Sequence, residues 1–407
     1  MKIFDFALEE IYNEADYVIE RCDEVKMELP TMSKEKALSE MEYLKAIYME
    51  IKKLIPKTSN VDFSEDMFFK LNRTEDIYFD VNEELCNKLE SSNDILVPPI
   101  QQPRNILSLT KEEKQKFLDS FDRVFSDIDG VVWNASAVIE GSGDGFNALR
   151  ETGKQLTFIT NNSVRPEQLC LDKLKENKIE IEANDLIHPS KSIVEYLKGI
   201  KFEGLIYAIA SESIKNDFRK EGFQILDGPY EIIGESFRDL MGVVIGREPV
   251  KAVIIDFDFN LTMTTMMKAH HYLRRPDCIF IGGASDYTLP VTKDLSVLGP
   301  GGFLKVLEDS TRREILLFGK PGKALADSLL KRYGIEDPSR AMMIGDMLEQ
   351  DIRFGKLCGF QTLLVLSGGI KLEELMRQTD PNVIPNYYAN SMKDFVEFVK
   401  DYKKSSA

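Results

Sequence analysis

The stretch Arg123–Trp133, R-V-F-S-D-I-D-G-V-V-W, decides how the rest of this chain is interpreted. Val124 and Phe125 predict the end of a short buried strand, and Asp127 and Asp129 follow it with one residue between them. Side chains at positions i and i+2 of a strand point to the same side, so both carboxylates can reach one pocket where the strand ends. Two like charges this close are costly unless a cation or a shared proton compensates for them, which indicates a functional site.

The composition is that of a globular protein of about two or three domains. The chain has 407 residues, of which 43% are hydrophobic and 29% charged, and its net charge is -16. An acidic chain is a poor general partner for nucleic acid or for an acidic membrane surface. The sequence has no run of about 18 apolar residues, so no transmembrane helix is predicted. The five cysteines form no C-x-x-C pair, and the first residues are too acidic for a leader, so we expect a reduced, cytoplasmic protein without a zinc site.

Residues 1–104 are predicted to be an all-α region followed by a linker. Apolar side chains recur every three or four positions over Leu38–Leu54, which is typical of an amphipathic helix with a narrow, coiled-coil-like seam. Ser33 predicts the cap of this helix, and the break near Pro30 predicts another helix before it. The polar, proline-rich run Ser91–Asn105 predicts a domain boundary. Two interpretations stay open: a helical hairpin packed on itself or on the next domain, and an arm that binds a partner protein.

Beyond the linker, apolar strands alternate with helices and several strands end in polar residues. Strands of this kind are typical of a parallel, doubly wound sheet with its site along one edge. The segment 165–312 has its own alternation of helix and strand, enough for a separate α/β domain. Four strand ends outside the linker carry the candidate site residues, which are Asp127 and Asp129; Thr160, Asn161 and Asn162; Lys320; and Asp346 with Asp351.

These residue types suit magnesium and a phosphate group. Mg²⁺ prefers oxygen ligands, usually one or two carboxylates together with substrate phosphate and waters. A lysine supplies a compact positive charge for phosphate oxygens. A carboxylate can attack phosphorus to form an aspartyl-phosphate, and a second carboxylic acid can protonate the leaving alcohol and then deprotonate the attacking water.

The order D-x-D-G, T-N-N-S, G-K-P and G-D-x-x-x-x-D resembles the phosphatase branch of the haloacid dehalogenase (HAD) superfamily. The insertion between the second and third motifs resembles the C2-capped group, which contains the p-nitrophenyl phosphatase, phosphoglycolate phosphatase and pyridoxal phosphate phosphatase family. The resemblance covers about residues 105–400. It implies an α/β fold with a Rossmann-like parallel-sheet core at 105–164 and 313–407 and an inserted α/β C2 cap at 165–312.

The resemblance also implies a Mg²⁺-dependent enzyme that hydrolyses a small-molecule phosphomonoester. Asp127 is then the nucleophile and a metal ligand, and Asp129 is the general acid/base that binds the metal through its backbone carbonyl. Thr160, with Asn161 or Asn162, holds the phosphoryl group. The other implied roles are orientation of the nucleophile by Lys320, metal binding by Asp346, a more distant or water-mediated metal contact by Asp351, and substrate binding by Asp286.

Two loops depart from the family pattern. After the Asp of the fourth motif the family commonly has Arg or Ser, then Leu, and a Thr shortly before the last Asp; here the residues are Met347, Leu348 and Gln350. The cap loop usually reads T-N-x-D, but here Ala284 stands in place of the Asn and Asp286 remains. We therefore expect altered substrate selection, with broad activity toward neutral or aryl phosphomonoesters and poor activity toward phosphoglycolate.

An alternative from a different class stays open. The chain would be a protein-interaction module that uses its N-terminal helices, with a weak or vestigial phosphatase domain. A third possibility is that the arm and the phosphatase derive from two joined genes with unrelated roles. The resemblance further implies a homodimer formed through the cap, and the arm implies a protein partner.

Overall fold

The computed structural model describes residues 18–28, 36, 39–40, 43–44, 81, 102–134, 137–292 and 295–403. The chain divides into two compact units, Met1–Pro99 and Ile100–Ala407. Within the described ranges, no helix is both long enough and apolar enough to cross a membrane.

Every described residue of the first unit is helical. Residues 18–28 bury one face of a helix through Val18, Cys22 and Val25. Arg21 pairs with Glu40, and Lys36 Nζ lies 2.5 Å from Glu28. Glu28, near the end of the first helix, pairs with Lys36, whereas the earlier Arg21 pairs with the later Glu40. These contacts describe an antiparallel helical hairpin. Of the predicted seam only Leu44 is described, and it is buried; the other seam positions and Ser33 lie outside the described residues.

A seven-stranded parallel sheet forms one layer of the second unit. Its strands, from edge to edge, are β1 (Arg104–Asn105), β14 (Tyr387–Ala389), β13 (Gln361–Val365), β12 (Ala341–Gly345), β2 (Arg123–Ser126), β3 (Gln155–Ile159) and β4 (Leu186–Ile187). Successive residues of β12, Met342 and Met343, belong to hydrophobic clusters on opposite faces. Both faces of the sheet are therefore covered, which is why a central strand such as β12 is apolar throughout.

Helices cover both faces of this sheet. The cluster on one face includes residues of α1 (Lys111–Asp119), α2 (Ser142–Arg150), α3 (Glu167–Glu176) and α12 (Asp394–Lys403). The cluster on the other face includes residues of α9 (Lys323–Arg332) and α10 (Arg353–Cys358), and α11 (Leu372–Met376) contributes to a smaller cluster.

A second parallel sheet has five strands. Its order is β11 (Leu316–Leu317), β8 (Ile279–Gly282), β7 (Val250–Ile255), β5 (Leu205–Ile209) and β6 (Gln224–Leu226). One face packs against α4 (Pro189–Gly199) and α5 (Glu212–Lys220), and the other against α7 (Met263–Leu273) and α8 (Gly301–Thr311). The remaining elements are α6 (Phe237–Val244) and the antiparallel pair β9 (Thr288–Thr292) and β10 (Leu295–Leu298).

The structure corrects the sheet membership of two short strands. The segment 314–318 was expected among the core strands, but β11 pairs with β8 in the five-stranded sheet. Conversely, β4 lies inside 165–312 and pairs with β3 of the seven-stranded sheet. Each of these strands is two residues long, and so short a strand carries no sequence pattern that says which sheet it joins. The domain boundaries at 104, 164 and 312 stay predictions.

Candidate active site

Adjacent parallel strands bring the predicted site residues to one edge of the large sheet. β2 lies between β12 and β3, so the residues that follow these strands are neighbours. The Asp127 N–H donates to Ile344 O at 2.8 Å, which continues the ladder by one residue and fixes this carboxylate against the end of β12. The buried carboxylates Asp127, Asp346 and Asp351 come together, with one oxygen of each within 4.8 Å of the others.

Lys320 joins two of these carboxylates. Its Nζ lies 2.7 Å from Asp127 Oδ1 and 2.6 Å from Asp351 Oδ1, and it is almost completely buried. Burial lowers the pKa of Lys320, but the charges of Asp127 and Asp351 outweigh burial and raise it, so the ammonium stays charged. Burial raises the pKa of Asp127 to about 7 in spite of the lysine. Burial and the neighbouring Asp351 and Asp127 raise the pKa of Asp346 well above its ordinary value.

The cluster fits a divalent cation. Three carboxylates against one ammonium leave an excess of two negative charges when all are ionised. Asp346 Oδ1 is buried with no hydrogen-bond partner among the described residues. Asp351 is more fully occupied, because its Oδ2 also accepts from the N–H groups of Asp346 at 3.1 Å and Met347 at 3.0 Å. Hard oxygen donors with surplus negative charge are what Mg²⁺ and similar ions prefer.

Asp129 is not part of this carboxylate cluster. Its Oδ1 accepts from Trp133 Nε1 at 2.9 Å and lies 3.5 Å from Arg165 Nη1. The strand ends at Ser126, so the rule that positions i and i+2 share one side does not extend to Asp129. The sequence analysis did not predict that Trp133 and Arg165 contact Asp129. Trp133 lies shortly after the D-x-D-G motif and Arg165 shortly after T-N-N-S, and this closeness to the motifs was the available signal.

The T-N-N-S loop is bonded mainly to the protein itself. Thr160 Oγ1 accepts from the Asn162 N–H at 2.9 Å, and Asn162 Oδ1 accepts from the Arg165 N–H at 3.2 Å. The Asn161 amide brackets Lys320: Oδ1 accepts from the Lys320 N–H at 2.8 Å, and Nδ2 donates to Lys320 O at 3.0 Å. The sequence placed Asn161 with the phosphoryl ligands and did not predict this contact.

The cap loop after β8 reaches the same place. Asp286 is buried and accepts from Asn161 Nδ2 and from Gln350 Nε2, each at 3.3 Å. Burial raises the pKa of Asp286, against the hydrogen bond from Asn161. Ala284, in the same loop, is completely buried.

The comparisons with known proteins agree with this geometry. Residues 124–224 match the family described as haloacid dehalogenase-like hydrolase, and 317–395 match a second HAD-like hydrolase family. Phosphoglycolate phosphatase 1A, chloroplastic, of Arabidopsis thaliana is 30% identical over 299 residues, which are 72% of this chain and 82% of that protein. Glycerol-3-phosphate phosphatase of Gallus gallus is 29% identical over 309 residues, which are 73% of this chain and 98% of that protein.

A solved structure shows the same fold. The p-nitrophenyl phosphatase from Archaeoglobus fulgidus superposes with a TM-score of 0.57 at 24% identity, over 68% of this chain and 99% of its own. Parallel sheets with buried carboxylates at their strand ends thus define a hydrolase of the α/β class. The chain belongs to the haloacid dehalogenase-like hydrolase family. The sequence-based predictions of this family, of its α/β fold and of a phosphomonoester hydrolase are confirmed.

Proposed function

We propose that this chain is a Mg²⁺-dependent phosphatase that hydrolyses small phosphomonoesters through an aspartyl-phosphate on Asp127. The observation that carries the proposal is the buried group of Asp127, Asp346 and Asp351 around the ammonium of Lys320. The relatives named for phosphoglycolate and glycerol 3-phosphate support a small phosphomonoester as the substrate class.

Asp127 is the proposed nucleophile. Lys320 holds its Oδ1 and favours the ionised form, which opposes the burial that raises the pKa of this carboxyl. Attack of the carboxylate on phosphorus forms the acyl phosphate and breaks the bond from phosphorus to the ester oxygen. Mg²⁺ held by Asp127, Asp346 and the backbone carbonyl of Asp129, with Asp351 behind them, would offset charge on the phosphoryl oxygens.

Asp129 is the proposed acid and base. About one third of its side chain is exposed, and Trp133 and Arg165 fix its Oδ1, so its other oxygen is left for the reaction. As an acid it gives its proton to the leaving alcohol oxygen. As a base it then takes a proton from water, whose oxygen attacks the aspartyl-phosphate and releases inorganic phosphate with Asp127 restored. The proposed phosphoryl contacts come from Thr160 and the loop after it.

The test is hydrolysis of p-nitrophenyl phosphate with and without Mg²⁺. We expect turnover to require Mg²⁺, to stop in excess EDTA and to return when Mg²⁺ is added back. The melting temperature of the EDTA-treated protein should also rise with added Mg²⁺, because a ligand that binds only the folded state stabilises it by mass action. The Asp346→Asn variant should lose both responses. Turnover that is equal in EDTA and in Mg²⁺ would contradict the proposal.

A homodimer through the cap is the proposed assembly. Apolar side chains on and near α6 and α7 are exposed, which are Ile232, Phe237, Met241, Ile245, Phe259 and Met263. An exposed apolar patch on a protein surface is often an interaction site. Light scattering should give the mass of a dimer for the wild type and of a monomer for Met241→Glu.

Two further proposals concern the cellular compartment and a protein partner. A reducing, cytoplasmic location is supported by Cys22, Cys170, Cys278 and Cys358, which are buried and free. Burial raises the pKa of the Cys170 thiol to about 11, which keeps it unreactive. We also propose that the N-terminal helices bind a protein partner. The large exposed side chains of Met27 and Tyr43, both in helical segments, support this proposal.

A further inference from the structure

Asp286 accepts hydrogen bonds from two segments that lie next to the buried ion pairs of the site. Its Oδ2 accepts from Asn161 Nδ2 at 3.3 Å, and its Oδ1 accepts from Gln350 Nε2 at 3.3 Å. Asn161 follows β3 and Gln350 follows β12 of the seven-stranded sheet, whereas Asp286 follows β8 of the other sheet. One carboxylate from the five-stranded layer is thus bonded to two separate segments of the larger layer.

The Asn161 contact leads directly to Lys320. The same amide that donates to Asp286 also donates to Lys320 O, and its oxygen accepts from the Lys320 N–H. Ser285, next to Asp286, adds a hydrogen bond from its Oγ to Lys320 O at 3.1 Å. The backbone N–H and C=O of Lys320 are therefore both hydrogen-bonded. Asn161, which Asp286 holds, bonds to both groups, and Ser285 bonds to the C=O.

The Gln350 contact leads to Asp351. These two residues are adjacent in the π-helical turn Leu348–Ile352, and Asp351 Oδ1 lies 2.6 Å from Lys320 Nζ. Gln350 Oε1 is buried without a hydrogen-bond partner among the described residues. Its Nε2, by contrast, is paired through the hydrogen bond to Asp286, so this contact anchors the side chain.

We infer that Asp286 is a positioning residue, which sets Lys320 and Asp351 relative to Asp127, and that it does not read the leaving group of the substrate. Each of its oxygens accepts from an amide of the larger layer, and the side chain is buried, so its contacts are with the protein. This role replaces the substrate-binding role predicted for Asp286 from the sequence. It rests on the proposed phosphatase function, and it makes Gln350 the partner that completes the contact.

The test swaps the donor and the acceptor of the hydrogen bond between Gln350 and Asp286. Asp286→Asn keeps the shape but has one acceptor oxygen instead of two, so one of the two core amides faces an NH₂ group. Gln350→Glu places a carboxylate against Asp286 and replaces the donor by an acceptor. In the double variant the new amide at position 286 can donate to the new carboxylate at position 350 while its oxygen accepts from Asn161, and the charge of the pair is again that of the wild type. Asp277→Asn is the matched control, because this exposed cap aspartate precedes β8 and pairs with Lys251 within the cap.

The kinetic measurement is kcat and KM on p-nitrophenyl phosphate and on glycerol 3-phosphate. We expect each single variant to lower kcat by about tenfold or more, by the same factor on both substrates, with KM changed by less than about threefold. The double variant should recover most of the lost kcat, since residues in direct contact are not additive. A single variant that changes the ratio of the two kcat/KM values by about tenfold, or a double variant that loses as much as both singles together, would overturn the inference.

Amide hydrogen exchange provides a readout that does not depend on turnover. In Asp286→Asn we expect faster exchange over residues 316–322 and 346–352, with wild-type rates regained in the double variant and kept in Asp277→Asn. Unchanged exchange in both segments would overturn the positioning role even if the enzyme is impaired. A wild type that is inactive on both substrates would count against the proposed phosphatase, and the exchange data would still decide the role of Asp286.

Discussion

Lys320 and its carboxylates illustrate how burial and ion pairing oppose each other in this site. Burial disfavours every charged form here, yet the lysine lies within 2.7 Å of Asp127 Oδ1 and keeps its proton. Removing one member of a buried ion pair leaves an uncompensated charge, which is strongly destabilising. The lysine therefore favours the ionised form of Asp127.

Replacing Asp127, the proposed nucleophile, tests the chemistry with little change of shape. Asp127→Asn should lower kcat on p-nitrophenyl phosphate by roughly 10³-fold or more, because an amide cannot form the acyl phosphate. The variant should still fold, since the amide is isosteric with the carboxyl. Asp122→Asn, on an exposed residue just before β2, is the control and should keep wild-type turnover. Residual activity of Asp127→Asn above about one per cent would exclude Asp127 as the nucleophile.

Asp256 predicts a pH dependence that is separate from the metal site. Its Oδ1 accepts from Ser163 Oγ and from the Phe257 N–H, while Oδ2 is buried without a partner among the described residues. Burial raises the pKa of this carboxyl to about 7. Between about pH 4 and pH 7 the folded protein holds a proton that the unfolded chain has lost, so the free energy of unfolding falls as pH rises through this window.

Asp256→Asn should remove this contribution. The amide keeps an acceptor for Ser163 and Phe257 and has no charge to bury, so the variant should be more stable than wild type at pH 8 by a few kcal/mol and equally stable near pH 4. Urea unfolding in EDTA at both pH values measures the difference. Asp277→Asn, on an exposed aspartate, should follow the wild type. Equal stability of Asp256→Asn and wild type at pH 8 would show that the carboxyl titrates near its ordinary pKa.

At the level of single elements, α1 depends on its first turn. Thr110 Oγ1 accepts from the Glu113 N–H at 3.4 Å and Glu113 accepts from the Thr110 N–H at 2.8 Å, a capping box. Thr110 is therefore the N-cap of α1. Thr110→Ala should lower the free energy of unfolding by about 1 kcal/mol, measured by urea titration. Ser108→Ala, which removes one exposed hydrogen bond to Asn105 O, should cost less; the opposite order would place the cap at Ser108.

The elements also show what the sequence could and could not predict. Buried central strands such as β2 and β12 have apolar residues on both faces and are followed by aspartates, so their place in the sheet was readable from the sequence. The contacts of Asp129 with Arg165 and of Asp286 with Gln350 could not be predicted from the sequence, because only the tertiary fold brings these segments together. Asn161 was found by its motif, but its contact with Lys320 joins residues 159 positions apart, which no local pattern encodes.

At the scale of the whole molecule, the candidate site belongs to one of the two units. Asp127, Asp346, Asp351 and Lys320 all lie within Ile100–Ala407. The hydrogen bonds that hold them also come from this unit, including those of Asn161 and the cap loop. The first unit has an ion-paired helical hairpin of its own. This division separates the proposed catalysis from the proposed binding of a protein partner.

Deleting residues 1–101 should therefore leave turnover of a small aryl phosphate unchanged. We expect kcat on p-nitrophenyl phosphate within about twofold of the full chain, because a unit with its own core and its own site can function without its neighbour. A chain that starts at Lys111 is the matched control: it also loses β1, which pairs with β14, and the ion pair of Arg104 with Glu113. This shorter chain should melt at a lower temperature, whereas the chain that starts at Gln102 should keep the thermal transition of the second unit. If the protein that starts at Gln102 is folded and monodisperse but its kcat is sharply reduced, the N-terminal helices are part of the catalytic unit, and the interaction-module alternative loses its main support.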